Sequence, residues 1–97
     1  MLFHITWEFI DTSEEGQART LSLFSKWQPG PGVFQAFYGY ADGTGGVALV
    51  EADTVATLAR SMAPWTPWLH FEARAILPIQ ESAQISGEGA AWRKSQG

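Results

Sequence analysis

The segment LFHITWEFI (2–10) limits the fold more than any other part of the chain, because its side chains alternate in character. Phe3, Ile5, Trp7 and Phe9 share one phase, and His4, Thr6 and Glu8 share the other. A period of two, carried by aromatic and β-branched residues, predicts a strand with one buried face and one wet face. The segment LHFEARAIL (69–77) repeats the pattern, with Leu69, Phe71, Ala73, Ala75 and Leu77 in phase and His70, Glu72 and Arg74 between them.

The residues between these two strands supply the remaining elements. DTSEEG (11–16) opens a helix, with Thr12 or Ser13 as cap, Glu15 in capping-box position to Thr12, and Glu14 and Glu15 at the positive end of the dipole. Ala18, Leu21 and Phe24 recur at helical spacing beside Leu23 and Trp27, and QPGPG (28–32) ends that helix as a rigid connection or a pocket rim. VFQAFYGYA (33–41) reads as a second strand, DGTGG (42–46) as a hairpin turn and VALVE (47–51) as the returning strand. A second helix follows, capped by Asp53 or Thr54, with a Val55, Leu58, Ala59, Met62 stripe and a stop at Pro64. WTPW (65–68) then leads into the fourth strand, at 69–79. Beyond Ile79 the periodicity is weak, and the sequence predicts a tail (80–97) with a short helix near 81–85 and a loose remainder.

The resulting order, β-α-β-β-α-β with the only short turn between the second and third strands, is the split βαβ pattern of ferredoxin-like α+β domains. Right-handed crossovers place both helices on one face of an antiparallel sheet of order 4-1-3-2. The first and fourth strands then lie side by side. Their polar phases gather His4, Thr6, Glu8, His70, Glu72 and Arg74 on the helix-free face.

Composition narrows the partners. The 97 residues form one domain (1–79) plus the tail, 45% hydrophobic and only 16% charged, with 13% aromatic side chains. So little charge and so many aromatic rings predict apolar surface hidden in a homodimer contact or a ligand pocket. The net charge is −4 and the basic residues are scattered, apart from Arg93–Lys94, which argues against nucleic acid. There is no cysteine, so disulfides, thiolate nucleophiles and Cys-type zinc sites are excluded. The first ten residues lack a basic leader region and no apolar run reaches membrane-spanning length, which predicts a cytoplasmic protein without membrane contact.

Three readings of the polar stripe compete: a solvated face, a satisfied polar network inside a sheet-to-sheet homodimer, and a cavity lining in which His4 or His70 shuttles protons. In the third, Glu8, Glu72 or Arg74 would hold the ring or a substrate anion, because imidazole as a class titrates near neutrality. His70-x-Glu72 and His4-x-x-x-Glu8 put potential ligands on one strand face, but without a third ligand no metal is predicted. No motif implies a cofactor. GTGG joins two strands and has no P-loop lysine, and no serine is placed beside a histidine. Trp7, Phe37, Tyr38, Tyr40, Trp65 and Trp68 are candidate walls for a small planar, apolar or aromatic ligand.

MLFHITWEF, the Pro31-Gly32-Val33 opening of the second strand, VALVEAD and FEARAILPI together resemble the DUF3303 type of small bacterial proteins of unknown function, over Met1 to about Ile79. That resemblance implies membership of the dimeric α/β-barrel superfamily, in which the sheets of two ferredoxin-like protomers face each other. Relatives by fold include cofactor-free monooxygenases, muconolactone-isomerase-like enzymes, chlorite-dismutase-like haem proteins and stress-linked binding proteins, so the scaffold does not choose an activity. The expectation is a small homodimeric protein that binds an organic ligand or serves a structural or regulatory role. The alternative is a cofactor-independent monooxygenase or isomerase with a His/Glu proton shuttle.

Overall fold

Alternation at the two ends of the chain becomes two adjacent strands in the computed structural model, which describes residues 1–28 and 33–97. The elements run β1 (Leu2–Phe9), α1 (Glu14–Lys26), β2 (Val33–Gly39), β3 (Gly45–Glu51), α2 (Val55–Met62), a 3₁₀ turn (Ala63–Trp65), β4 (Leu69–Ile76) and α3 (Ile79–Gln96). The four strands form one antiparallel sheet in the order β2-β3-β1-β4, which is the expected 4-1-3-2 order read from the other edge. The proline–glycine connection expected at 28–32 falls, apart from Gln28, outside the described residues.

Local hydrogen bonds explain where the helices begin. Ser13, rather than Thr12, caps α1, its hydroxyl accepting from the Gly16 N–H at 3.1 Å. Thr54 caps α2 by accepting from the Thr57 N–H at 3.1 Å. Asp53 instead accepts from the Thr57 hydroxyl at 2.7 Å, which holds its carboxyl below the ordinary carboxylate range. In the β2–β3 turn the Thr44 hydroxyl and N–H both donate to Asp42 Oδ1, at 2.7 and 3.0 Å, and lower that carboxyl in the same way. Gly43, at φ 75°, takes the left-handed position that an Asp-Gly turn requires.

The core lies between β1, β3 and α2: Phe3, Ile5, Ala48, Val50, Ala52 and Leu58 are buried, with Trp7, Phe34, Met62 and Phe71 packed against them. Three expectations need correction. The buried face of α2 is Thr57, Leu58 and Ser61, while Val55 and Ala59 are exposed. The polar members fit because Thr57 donates to Asp53 and Ser61 to the Thr57 carbonyl, so burial leaves no unmatched donor. On α1, Gly16 and Thr20 are buried and Leu21 and Phe24 are exposed, because those two large side chains flank a cavity. On β4, Leu69 is buried, but Ala73, and Leu77 just past the end of the strand, are exposed where they were expected beneath the helices.

The last element differs most. Instead of a short helix and a loose tail, Ile79–Gln96 is one helix of 18 residues with no buried residue. The chain measures 58 × 27 × 21 Å, with a radius of gyration of 17.5 Å. A compact domain of this length would have a radius of about 12–13 Å.

Candidate functional site

Two separate sites emerge, one on each face of the sheet. The covered face forms a cavity of about 420 Å³ between the strands, α1 and the end of α2. Ile5, Ala48 and Val50 make its buried floor, and Trp65, 6% exposed, closes one side. Leu21, Phe24, Phe37 and Tyr40, each at least 40% exposed, form its open rim.

An aromatic lattice gives the cavity its shape. Trp27 meets Trp65 edge-on at 5.4 Å and Phe34 at 5.7 Å, and Phe34 stacks on Phe37 at 4.8 Å. Trp7 meets Phe37 edge-on at 5.3 Å. Offset and edge-to-face pairs are the arrangements that the ring quadrupole favours. The lining includes no lysine, arginine, histidine, aspartate or glutamate. Its two buried hydroxyls, on Thr20 and Ser61, already donate to the Gly16 and Thr57 carbonyls. The chemistry offered to an occupant is therefore aromatic and uncharged.

Of the six aromatic residues anticipated as walls, Trp7, Phe37, Tyr40 and Trp65 line this cavity, and Tyr38 and Trp68 do not. A register shift between Phe34 and Ala36 is the cause for Tyr38. It puts Phe34 opposite Val50 and Phe37 opposite Ala48, both on the covered face, and leaves Ala36 and Tyr38 on the other. Tyr38 therefore does not share a face with Phe34, as simple alternation would have it. Trp68 lies under Arg19, whose guanidinium carbon is 6.0 Å from the ring centroid. Sequence reasoning missed Phe24, Trp27 and Phe34 as walls. The helical phase of Phe24 and Trp27 was visible, but a bulge leaves no reliable mark in residue types.

On the helix-free face the register is now fixed: His4 lies opposite Arg74, Thr6 opposite Glu72, and Glu8 opposite His70. The six residues share one face, as alternation requires. A small cleft of about 120 Å³ forms there, between His4, Thr6, Glu72 and Arg74. Among the described residues none of the five ionisable members makes a side-chain hydrogen bond or ion pair within its own chain. Nor does any group of three or more His, Cys, Asp or Glu among the described residues form a metal-binding cluster. The sheet separates this stripe from the aromatic cavity, so one small molecule cannot touch both within a single chain.

A family model for a domain of unknown function, DUF3303, matches residues 1–90. The chain belongs to the DUF3303 family. The match runs past Ile79 and takes in most of α3. No curated protein matches this DUF3303 chain. No helix among its described residues is long and apolar enough to cross a membrane.

Proposed function

We propose that this DUF3303 protein binds a small, uncharged, planar organic molecule in the aromatic cavity and does so as a homodimer. The observation that carries the reading is a partly open cavity of about 420 Å³ walled by aromatic rings and free of ionisable side chains other than the Tyr40 phenol. That volume lies within the roughly 300–1,000 Å³ typical of small-molecule sites. Exposed Leu21, Phe24 and Phe37 at its rim keep apolar surface in water that an occupant would cover. A proton-shuttle enzyme is supported less well. Its candidate groups, His4, Glu8, His70, Glu72 and Arg74, lie on the face away from the rings that would hold an apolar substrate.

Binding is tested with N-phenyl-1-naphthylamine, an uncharged fluorophore that brightens in apolar surroundings. Wild-type protein is expected to enhance its emission saturably. Ala48→Phe, which projects a ring from the cavity floor, is expected to weaken binding at least about tenfold, or 1.4 kcal/mol, with an unchanged circular dichroism spectrum. Saturable binding that survives Ala48→Phe, or no binding by the wild type, would refute the assignment.

The homodimer reading rests on the helix-free face. Val47 and Leu49 lie half-buried at its centre, Tyr38 is 67% exposed beside them, and the unpaired stripe runs along one side. Packing two such faces about 10 Å apart would bury this apolar surface and give the stripe partners from the second copy. Leu49→Arg, which places an unpaired charge in that contact, is expected to cost about 3–5 kcal/mol of association. Sedimentation at low micromolar concentration should then show a dimer for the wild type and a monomer for the variant. Equal masses for the two proteins would rule the contact out.

A further inference from the structure

Helix α3 stands outside everything assigned so far: 18 residues, none buried, with Ile85 at 50% and Trp92 at 65% exposure. Its composition argues against a helix meant to stand alone in water. Gly87 and Gly89 sit in its interior, where each costs about 1 kcal/mol relative to alanine, and the tertiary packing that supplies most helical stability is missing here, since no residue of the helix is buried. The chain's own fold does not demand these glycines. A Cβ at Gly87 would meet nothing within 4 Å, and one at Gly89 would meet only the Arg93 guanidinium at 3.6 Å, an ordinary contact. The space beside them is open to a partner.

We infer that α3 pairs antiparallel with α3 of a second copy of this chain. Ser82, Ile85, Gly89 and Trp92 fall at i, i+3, i+7 and i+10, the a and d spacing of a two-helix seam. An antiparallel overlap centred on Gly87 sets Trp92 of one helix against Ser82 of the other, and Ile85 against Gly89. Each large side chain meets a small one, twice over, as a two-fold contact requires. A parallel overlap would instead set Trp92 against Trp92 and Gly89 against Gly89, alternating crowding with voids. Charge selects the same direction. Glu81 lies in the first turn and Arg93 and Lys94 in the last. The antiparallel pair brings these opposite charges to one level along the axis and opposes the two helix dipoles. The occupant of this face is thus a second copy.

A pair of helices this short buries less than the roughly 1,200 Å² of a stable standard interface. The contact is therefore a weak one, which acts alone near millimolar concentration and at lower concentration where another interface already holds copies together. Sedimentation from micromolar to near-millimolar concentration compares the wild type with Trp92→Glu and Gly89→Leu. Both variants are expected to weaken association at least about tenfold. Gly89→Leu should do so while raising helix content, a combination that a merely solvated helix would not give. Circular dichroism and the thermal unfolding midpoint check that the body is intact. The chain has no cysteine, so Gln96→Cys carries a single spin label. In the associated state the two labels should lie about 30 Å apart for the antiparallel pair, against about 10 Å for a parallel one. Masses that coincide for the wild type and both variants across the range, or labels near the shorter distance, overturn the inference.

Discussion

Replacing Trp65 with alanine is expected to lower the unfolding free energy by about 3–5 kcal/mol, the range for deleting a buried large aromatic side chain. Trp65 is 6% exposed, edge-on to Trp27 at 5.4 Å and beside Phe24 at 6.3 Å. It joins the turn that follows α2 to α1 across the cavity. A domain of this length has about 5–15 kcal/mol of stability in all, so the loss is a large share of it. Leu77→Ala serves as the control: truncating a large apolar side chain at a residue 53% exposed should stay within about 0.5 kcal/mol. Urea unfolding followed by far-ultraviolet dichroism separates the two. A loss below about 1 kcal/mol at Trp65 would mean that the cavity wall is not part of the cooperative core. The same variant opens one side of the cavity, so fluorophore binding should fall along with stability.

Gly45→Ala is expected to be nearly as damaging, at about 3 kcal/mol, the upper end of the usual cost of overpacking. Gly45 lies opposite Glu8 in the β1–β3 ladder, and a Cβ there would overlap the Trp7 carbonyl oxygen. That atom is backbone in the neighbouring strand, so relief requires the two strands to part. Gly46, the next residue, faces Trp7, and a Cβ on it would overlap the indole ring and the Tyr38 carbonyl. Gly46 thus makes room for the Trp7 ring against β3, and Gly45 makes room for the Trp7 backbone. Thermal unfolding gives the measurement. A midpoint unchanged from wild type would show that β1 and β3 are not held in this register.

These glycines illustrate how legibility varied along the chain. GTGG was readable as a turn, because Asp-Gly and positive φ go together at Gly43. Gly45 and Gly46 belong instead to β3, and nothing in their type announced that Trp7 would rest on them. Helix caps were legible to within one residue. Buried helix faces were not, because Thr20, Thr57 and Ser61 could enter the interior once their hydroxyls found carbonyl or carboxylate partners nearby. A hydrophobic stripe scores such residues as polar and misses them.

By itself the sequence determined the strand count, the sheet order and the shared face of His4, Thr6, Glu8, His70, Glu72 and Arg74. Each follows from local rules: side chains alternate along a strand, crossovers keep one hand, and a short turn joins neighbours. Only the tertiary structure decided where the aromatic rings gather, that Tyr38 faces away from them, and that Ile79–Gln96 form a projecting helix. Those outcomes depend on a bulge, on the separation between α1 and the sheet, and on which surfaces remain uncovered. Such quantities arise between elements distant in the chain, and no window of neighbouring residues encodes them.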